Sequence, residues 1–233
     1  MSFEYTGTDL LELMQKAVNY NAFLASLILK QQIPTSGKIL DIGAGIGLFA
    51  DIVRKNGYNV YCLEPDLFQA NLLKEQQFTV STNINELPDD SFDFIYALNV
   101  LEHIENDGEE LLLWAKKLKK GGKLLIYVPA FHLLYSSMDK KVGHFRRYRK
   151  KDLTEKIIHA GLVPVCNAKY ADSLGFFVTL LYKLINKNDG NVNKSSLIFY
   201  DRVLFPLSRL GDFLFNRLFG KNVFIIAEKS ANH

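Results

Sequence analysis

The chain has 233 residues, 48% of them hydrophobic and 23% charged, which is enough apolar content for a full core and too much for a disordered tail. Lys and Arg total 28 against 25 Asp and Glu, so the net charge of +3 is too small by itself to mark a nucleic-acid surface. Cys62 and Cys166 lie in strand-like runs without a neighbouring Cys or His at metal-ligand spacing, and read as reduced core residues of a cytosolic protein. The first residues lack the basic region and apolar stretch of a secretory signal, and no window reaches the roughly 18 apolar residues of a spanning helix. The expected location is cytoplasmic, with peripheral attachment at the inner membrane surface left open.

Over residues 9–32, Leu10, Leu13, Met14, Ala17, Val18, Leu24, Leu27 and Ile28 recur at helical spacing ahead of Pro34, which predicts a helical segment broken near Asn19-Tyr20-Asn21. A strand at Lys38–Ile42 runs into glycines and a helix at Leu48–Lys55. A strand at Asn59–Leu63, a helix at Leu67–Glu75 and strands at 78–81 and Phe92–Leu98 follow. Such alternation signals a parallel sheet. An amphipathic helix over 105–120 is expected to close at Gly121-Gly122, followed by a strand over 123–128 that Pro129 ends. A loop over 131–149, a helix over 151–160 and an edge strand over 162–170, which tolerates Pro164, lead on to a last strand at Asn222–Lys229. About 50 residues of apolar helical sequence separate these last two strands, where a hairpin would need only a few.

The predicted fold is α/β, a doubly wound, mostly parallel, Rossmann-like sheet of seven strands. Residues 1–35 form a helical cap, 36–170 with 221–233 the core, and 171–220 an insertion.

A strand entering glycines and then a helix makes a corner where a ligand can approach the backbone and meet free N–H groups. The spacing Gly43-x-Gly45-x-Gly47 is not the G-x-G-x-x-G of dinucleotide sites, and Asp41 stands just before it. This favours S-adenosylmethionine, whose amino-acid end carries no pyrophosphate but does carry an ammonium needing an acceptor. Glu64 ends the second strand, where a carboxylate can accept from both ribose hydroxyls.

Three segments together resemble the class I S-adenosylmethionine-dependent methyltransferases over residues 36–170. They are Ile39-Leu40-Asp41-Ile42-Gly43-Ala44-Gly45-Ile46-Gly47, Val60-Tyr61-Cys62-Leu63-Glu64-Pro65-Asp66, and Leu87-Pro88-Asp89-Asp90-Ser91-Phe92-Asp93-Phe94-Ile95 through Asn99-Val100-Leu101-Glu102-His103-Ile104. The resemblance implies that Asp41, Gly43, Ala44, Gly45 and Gly47 hold the methionine portion and that Glu64, with Pro65, binds ribose. It also implies that Asn83 and Ile84 lie against adenine and that Leu98 and Asn99 complete the cofactor set. Asn83 is a departure, because many relatives carry Asp there; an Asn carbonyl can accept from the adenine amino group uncharged.

Methyl transfer is an in-line displacement at an activated sulfonium, so the protein aligns the nucleophile and, for some acceptors, removes a proton. His103 follows the fourth strand at the ligand-binding rim and is a base candidate, although a helix cap or packing would explain it equally. Gly143-His144-Phe145-Arg146-Arg147-Tyr148 reads either as a solvated basic face or as an acceptor-contacting loop. It resembles the Gly-His-x-Arg-Arg-Tyr segment of bacterial methyltransferases associated with cell-surface glycan or lipid metabolism, and more loosely a loop of quinone-biosynthesis methyltransferases. The expected catalytic set is His103, His144 and Tyr148, with Arg146, Arg147 and Tyr20 on the acceptor, and no metal.

The expected function is methyl transfer to O or N of a small, amphipathic or lipid-linked acceptor. A protein or nucleic-acid methyltransferase is disfavoured by the modest charge and by Asn99-Val100-Leu101-Glu102 standing where an Asn-Pro-Pro-Tyr-type segment would be. A cofactor-binding protein without catalysis remains a third reading. In the insertion, Asp201, Arg202, Ser208, Arg209, Asp212 and Asn216 lie along one side, with Leu197, Val203, Leu204, Leu207, Leu210, Leu214 and Leu218 on the other. This pattern suits packing on the core or a second subunit, a lid, or a membrane-surface contact that Lys183, Lys187, Lys194, Arg202, Arg209, Arg217 and Lys221 would favour.

Overall fold

Residues 13–185 and 194–230 are described by a computed structural model. Five strands run parallel: β1 Lys38–Ile42, β2 Asn59–Leu63, β3 Thr79–Ser81, β4 Phe92–Leu98 and β5 Leu118–Pro129. Against β5 lies antiparallel β8, Asn222–Lys229, whose other edge is covered by β6, Leu162–Pro164, and β7, Lys169–Ala171. The order is β3-β2-β1-β4-β5-β8-β6, with β7 also on β8. The expected edge strand over 162–170 is thus two short pieces, parted just after Pro164, which has no N–H to donate to a ladder.

Side chains alternate between the two faces, as strand geometry requires. Leu40, Ile42, Ile95, Ala97, Leu124 and Ile126 face a cluster with Trp114 and Ile157, from α4 (Asp107–Lys117) and α6 (Lys150–His159). Ile39, Phe94, Tyr96 and Leu125 face the other side, with Ile28, Val53 and Leu73 from α1 (Val18–Leu29), α2 (Leu48–Lys55) and α3 (Leu67–Glu75). Helices on both faces of a largely parallel sheet make the doubly wound architecture.

Two expected boundaries are corrected. Helix α1 runs unbroken through Asn19-Tyr20-Asn21, because the Asp201 carboxylate accepts the N–H groups of Asn19 and Tyr20 at 3.0 and 2.9 Å and caps its first turn. The interruption precedes Val18; residues 9–12 lie outside the described residues. Gly121-Gly122 does not close a helix: α4 ends at Lys117, and β5 passes through the glycines at a register shift opposite Phe92 and Phe94. Gly121 takes φ +75° there.

The loop after β5 contains the short helix α5, Ser137–Lys141. The insertion is α7, Ser173–Ile185, then α8, Lys194–Phe199, which continues through a wide turn at Tyr200–Leu204 into α9, Phe205–Phe215. Its polar side faces inward, opposite to burial of the leucine side: Asp201, Ser208 and Asp212 are buried, whereas Leu207, Leu210, Leu214 and Leu218 are exposed. Asp212 accepts the N–H groups of Asp172 and Ser173 at 2.9 and 2.8 Å, which caps α7 and explains the inversion. Lys187 lies outside the described residues. Among the described residues, no helix is long and apolar enough to cross a membrane.

Candidate active site

The parallel strands end together at one edge of the sheet, and the winding reverses between β1 and β4, the position where doubly wound sheets open a crevice. From the end of β1 the backbone turns through Gly43 and Gly45 at φ +68° and +56°. A Cβ on Gly43 would meet the Val100 side chain at 2.5 Å, so both conformation and space require glycine there. Ala44 is buried, and Gly47 begins α2.

Glu64, buried at the end of β2, accepts from Gly45 N–H at 2.8 Å and from Asp66 N–H at 3.0 Å, and so ties the glycine loop to the loop after β2. Burial raises its carboxyl, and those two donors oppose the rise. Pro65 is exposed beside it, while Asp66 caps α3 through Gln69 N–H at 2.9 Å.

Asp41 is buried, and its Oδ2 has no hydrogen-bond partner among the described residues. Burial pushes this carboxyl up to about 8, with the Tyr96 hydroxyl opposing and the Glu64 charge adding to the rise. A buried acceptor without a partner, beside a glycine turn of open backbone, fits the ammonium and carboxylate of a ligand's amino-acid end.

Asn83 is exposed, and its side-chain oxygen accepts from Asn85 N–H at 3.0 Å, so it also caps the short turn Ile84–Glu86; Ile84 is buried. Leu98 is half-buried at the end of β4. Asn99, at φ +54°, donates its N–H to the Tyr127 carbonyl at 2.7 Å. Tyr20 arrives from α1, its ring edge-on to Tyr127 at 6.2 Å, and its hydroxyl is pushed up to about 12 by burial, with the Tyr127 and Asn99 side chains opposing.

Beyond Asn99, a turn at Leu101–His103 meets the loop that carries His144. Asp139 stands 2.7 Å from His144 Nδ1, and Arg147 donates to both Asp139 oxygens at 2.8 and 3.1 Å. Burial raises the Asp139 carboxyl, but His144, Arg147 and Ser136 N–H more than cancel this and hold it well below the usual range. An ionised Asp139 accepts from His144 Nδ1–H, so Nε2 is the ring nitrogen left over for another partner.

The rings of His103 and His144 meet edge-on at 4.6 Å, and burial, followed by the neighbouring His144 ring, pushes His103 down to about 4. Glu102 is fully buried 3.8 Å from His144 Nε2, neither of its oxygens hydrogen-bonded among the described residues, and burial pushes it up to about 8. Glu102, His103 and His144 together offer ligand atoms within 4.8 Å of one another, so the expectation of no metal meets a group able to hold one.

The other loop residues are committed to the protein. Tyr148, expected to reach the acceptor, is buried and donates its hydroxyl to Leu101 O at 3.1 Å and Asp107 Oδ2 at 2.8 Å. Arg146 donates to Glu105 O at 2.7 Å and pairs with Asp107 at 3.0 Å, and Arg147 is spent on Asp139. Sequence reasoning missed Asp139 and Glu102. The first carries a readable signal, since Ser136-Ser137-Met138-Asp139 is a capping box that starts α5 within reach of His144.

Residues 8–167 match the family described as Methyltransferase domain. A ubiquinone biosynthesis O-methyltransferase of Rickettsia bellii is 32% identical over 99 residues, 38% of this chain and 40% of that protein. The match thus spans less than half of that curated relative. A phosphoethanolamine N-methyltransferase of Haemonchus contortus in complex with S-adenosyl-L-methionine superposes with TM-score 0.62 at 18% identity, covering 91% of this chain and 53% of that one. A SAM-dependent methyltransferase of Archaeoglobus fulgidus does so with TM-score 0.58 at 18% identity, covering 90% and 94%. At such identities the likeness is one of fold, whereas the family match covers well over half of the chain. The chain therefore belongs to the methyltransferase domain family, and its fold is that of the S-adenosylmethionine-dependent methyltransferases on which it superposes.

Proposed function

We propose that the protein transfers a methyl group to an O–H or N–H of a small amphipathic or lipid-linked acceptor, with His144 as the base. The observation that carries this reading is the Asp139–His144 pair, in which the carboxylate holds Nδ1 at 2.7 Å and so turns Nε2 away from itself. Asp41 and the Gly43–Gly47 backbone receive the amino-acid end of the cofactor, and Glu64 accepts from its ribose. Asn83 and Ile84 border the adenine, Leu98 and Asn99 complete the cofactor set, and Tyr20 stands toward the acceptor. When bound, S-adenosylmethionine supplies an electrophilic methyl on a sulfonium.

His144 Nε2 takes the acceptor proton as the new bond forms, and Asp139 stabilises the resulting imidazolium. His103, pushed low, stays neutral and shapes the wall. Tyr148, Arg146 and Arg147 act by positioning, since they hold the loop through Asp107 and Asp139. Partial similarity to a ubiquinone biosynthesis O-methyltransferase supports oxygen over nitrogen and a lipophilic acceptor over a polar one.

Labelled methyl transfer into separated lipid, polar, protein and nucleic-acid fractions of a cell extract tests the reading. Label in the lipid fraction supports it. Label in protein or nucleic acid moves the acceptor class, and cofactor binding without transfer into any fraction points to a non-catalytic protein.

A further inference from the structure

The outward side of the insertion is apolar by construction. Three buried polar groups fix the orientation of α8 and α9: Asp212 caps α7, Asp201 caps α1, and Ser208 accepts from Leu174 N–H and donates to Asp172. With this polar side turned in, Leu210 is 73% exposed, Phe213 87%, Leu214 69% and Leu218 67%. They recur at helical spacing along one stripe, and α7 adds exposed Leu181 and Leu184 nearby in the fold. Isolated exposed leucines are ordinary, but a continuous stripe marks a surface that meets something apolar.

We infer that this face is a docking surface for an anionic lipid bilayer, with α9 lying in the plane of the interface. Charge selects the occupant. Asp201 and Asp212 are the only carboxylates in residues 194–221 and both are buried, while α7 has none. The exposed charges of α8, the wide turn at Tyr200–Leu204, α9 and the residues just after it are Lys194, Arg202 and Arg217. Arg217 also borders a groove of about 740 Å³ lined by Lys150, Lys151 and Lys169, in which Glu155 is the one acidic side chain. A face that among the described residues has exposed cations and no exposed carboxylate would repel a second copy of itself, whereas it complements anionic headgroups. Since no described helix is long and apolar enough to cross, the geometry is that of an in-plane helix.

This inference concerns binding alone and stands whatever the acceptor is. Flotation of the full chain with phosphatidylcholine vesicles, compared with vesicles containing phosphatidylglycerol as well, provides the test. The triple variant Leu210→Ser, Phe213→Ser, Leu214→Ser alters only exposed side chains, and its cofactor affinity reports that it is folded. The wild type is expected to float with the anionic vesicles and to be released by salt, and the triple variant to partition at least about tenfold less. Reversing Arg202 and Arg217 to Glu should weaken flotation to anionic vesicles while leaving the cofactor affinity unchanged. Wild type that stays in the soluble fraction at low salt overturns the inference, as does equal flotation of wild type and triple variant. A concentration-dependent dimer without flotation, abolished by the triple variant, would overturn it too and reassign the face to self-association.

Discussion

In both the glycine loop between β1 and α2 and the insertion between β7 and β8, a buried carboxylate takes backbone N–H groups, yet only in the first does the sequence reading already group the residues that meet. Glu64 accepts from Gly45, 19 positions away on the neighbouring strand–loop unit, and strand ends in a parallel sheet are brought together by the fold class itself. Asp201 accepts from Tyr20, 181 positions away, and Asp212 from Ser173, 39 positions away. Amphipathic spacing over the insertion shows that two faces exist but not which is turned inward, since distant caps decide that. The first region orders the glycine loop proposed to receive the cofactor; the second orders helices and leaves its apolar face outside.

Substitutions can break this contrast. The largest effect is expected at the acceptor side: His144→Ala should lower turnover by about 10²- to 10⁴-fold with cofactor affinity preserved, measured by steady-state transfer alongside calorimetry. Normal turnover would make the loop a surface feature.

Next comes Asp41→Asn. A buried carboxyl raised to about 8 costs stability once the pH exceeds its unfolded value near 4, so the ligand-free protein should lose stability as pH rises from about 4 toward 8. Removing the charge should flatten that slope and raise the melting temperature at pH 8 by a few degrees, while weakening cofactor binding. A wild-type melting curve that is flat in pH, together with an unchanged variant, would contradict the buried carboxylate at Asp41.

The smallest change is expected in the insertion. Asp212→Ala removes the acceptor of the Asp172 and Ser173 N–H groups at the start of α7, while Ser208 and Asp172 still take those of Leu174 and Gly175, and should cost about 1 to 2 kcal/mol in denaturant unfolding, with cofactor affinity unaltered. A large loss of cofactor affinity would join the two regions that the account keeps apart.

Where local pattern and punctuation agree, the reading and the fold coincide: Lys38–Ile42, Leu48–Lys55, Asn59–Leu63, Leu67–Glu75, Phe92–Leu98 and Asn222–Lys229 have the same bounds in both. Gly121-Gly122 was misread because a helix stop and a strand bulge use the same residues, and the opposing Phe92 and Phe94 lie far back in the chain. Burial decided the rest of the site. Arg146, Arg147 and Tyr148 look like a ligand-facing cluster in one dimension, but each is drawn to a carboxylate, Asp107 or Asp139, that composition does not distinguish from solvated ones. Glu102 is likewise an ordinary acidic residue until the fold closes over it.

The central claim is that the β1 and β2 strand ends form one cofactor site. Titration calorimetry of S-adenosylhomocysteine into Glu64→Ala tests it most directly, with circular dichroism to confirm folding. The account predicts binding weaker by roughly tenfold to a few hundredfold, since about 1.5 to 3 kcal/mol of charge-assisted hydrogen bonding is removed. A folded variant that binds with wild-type affinity would contradict it.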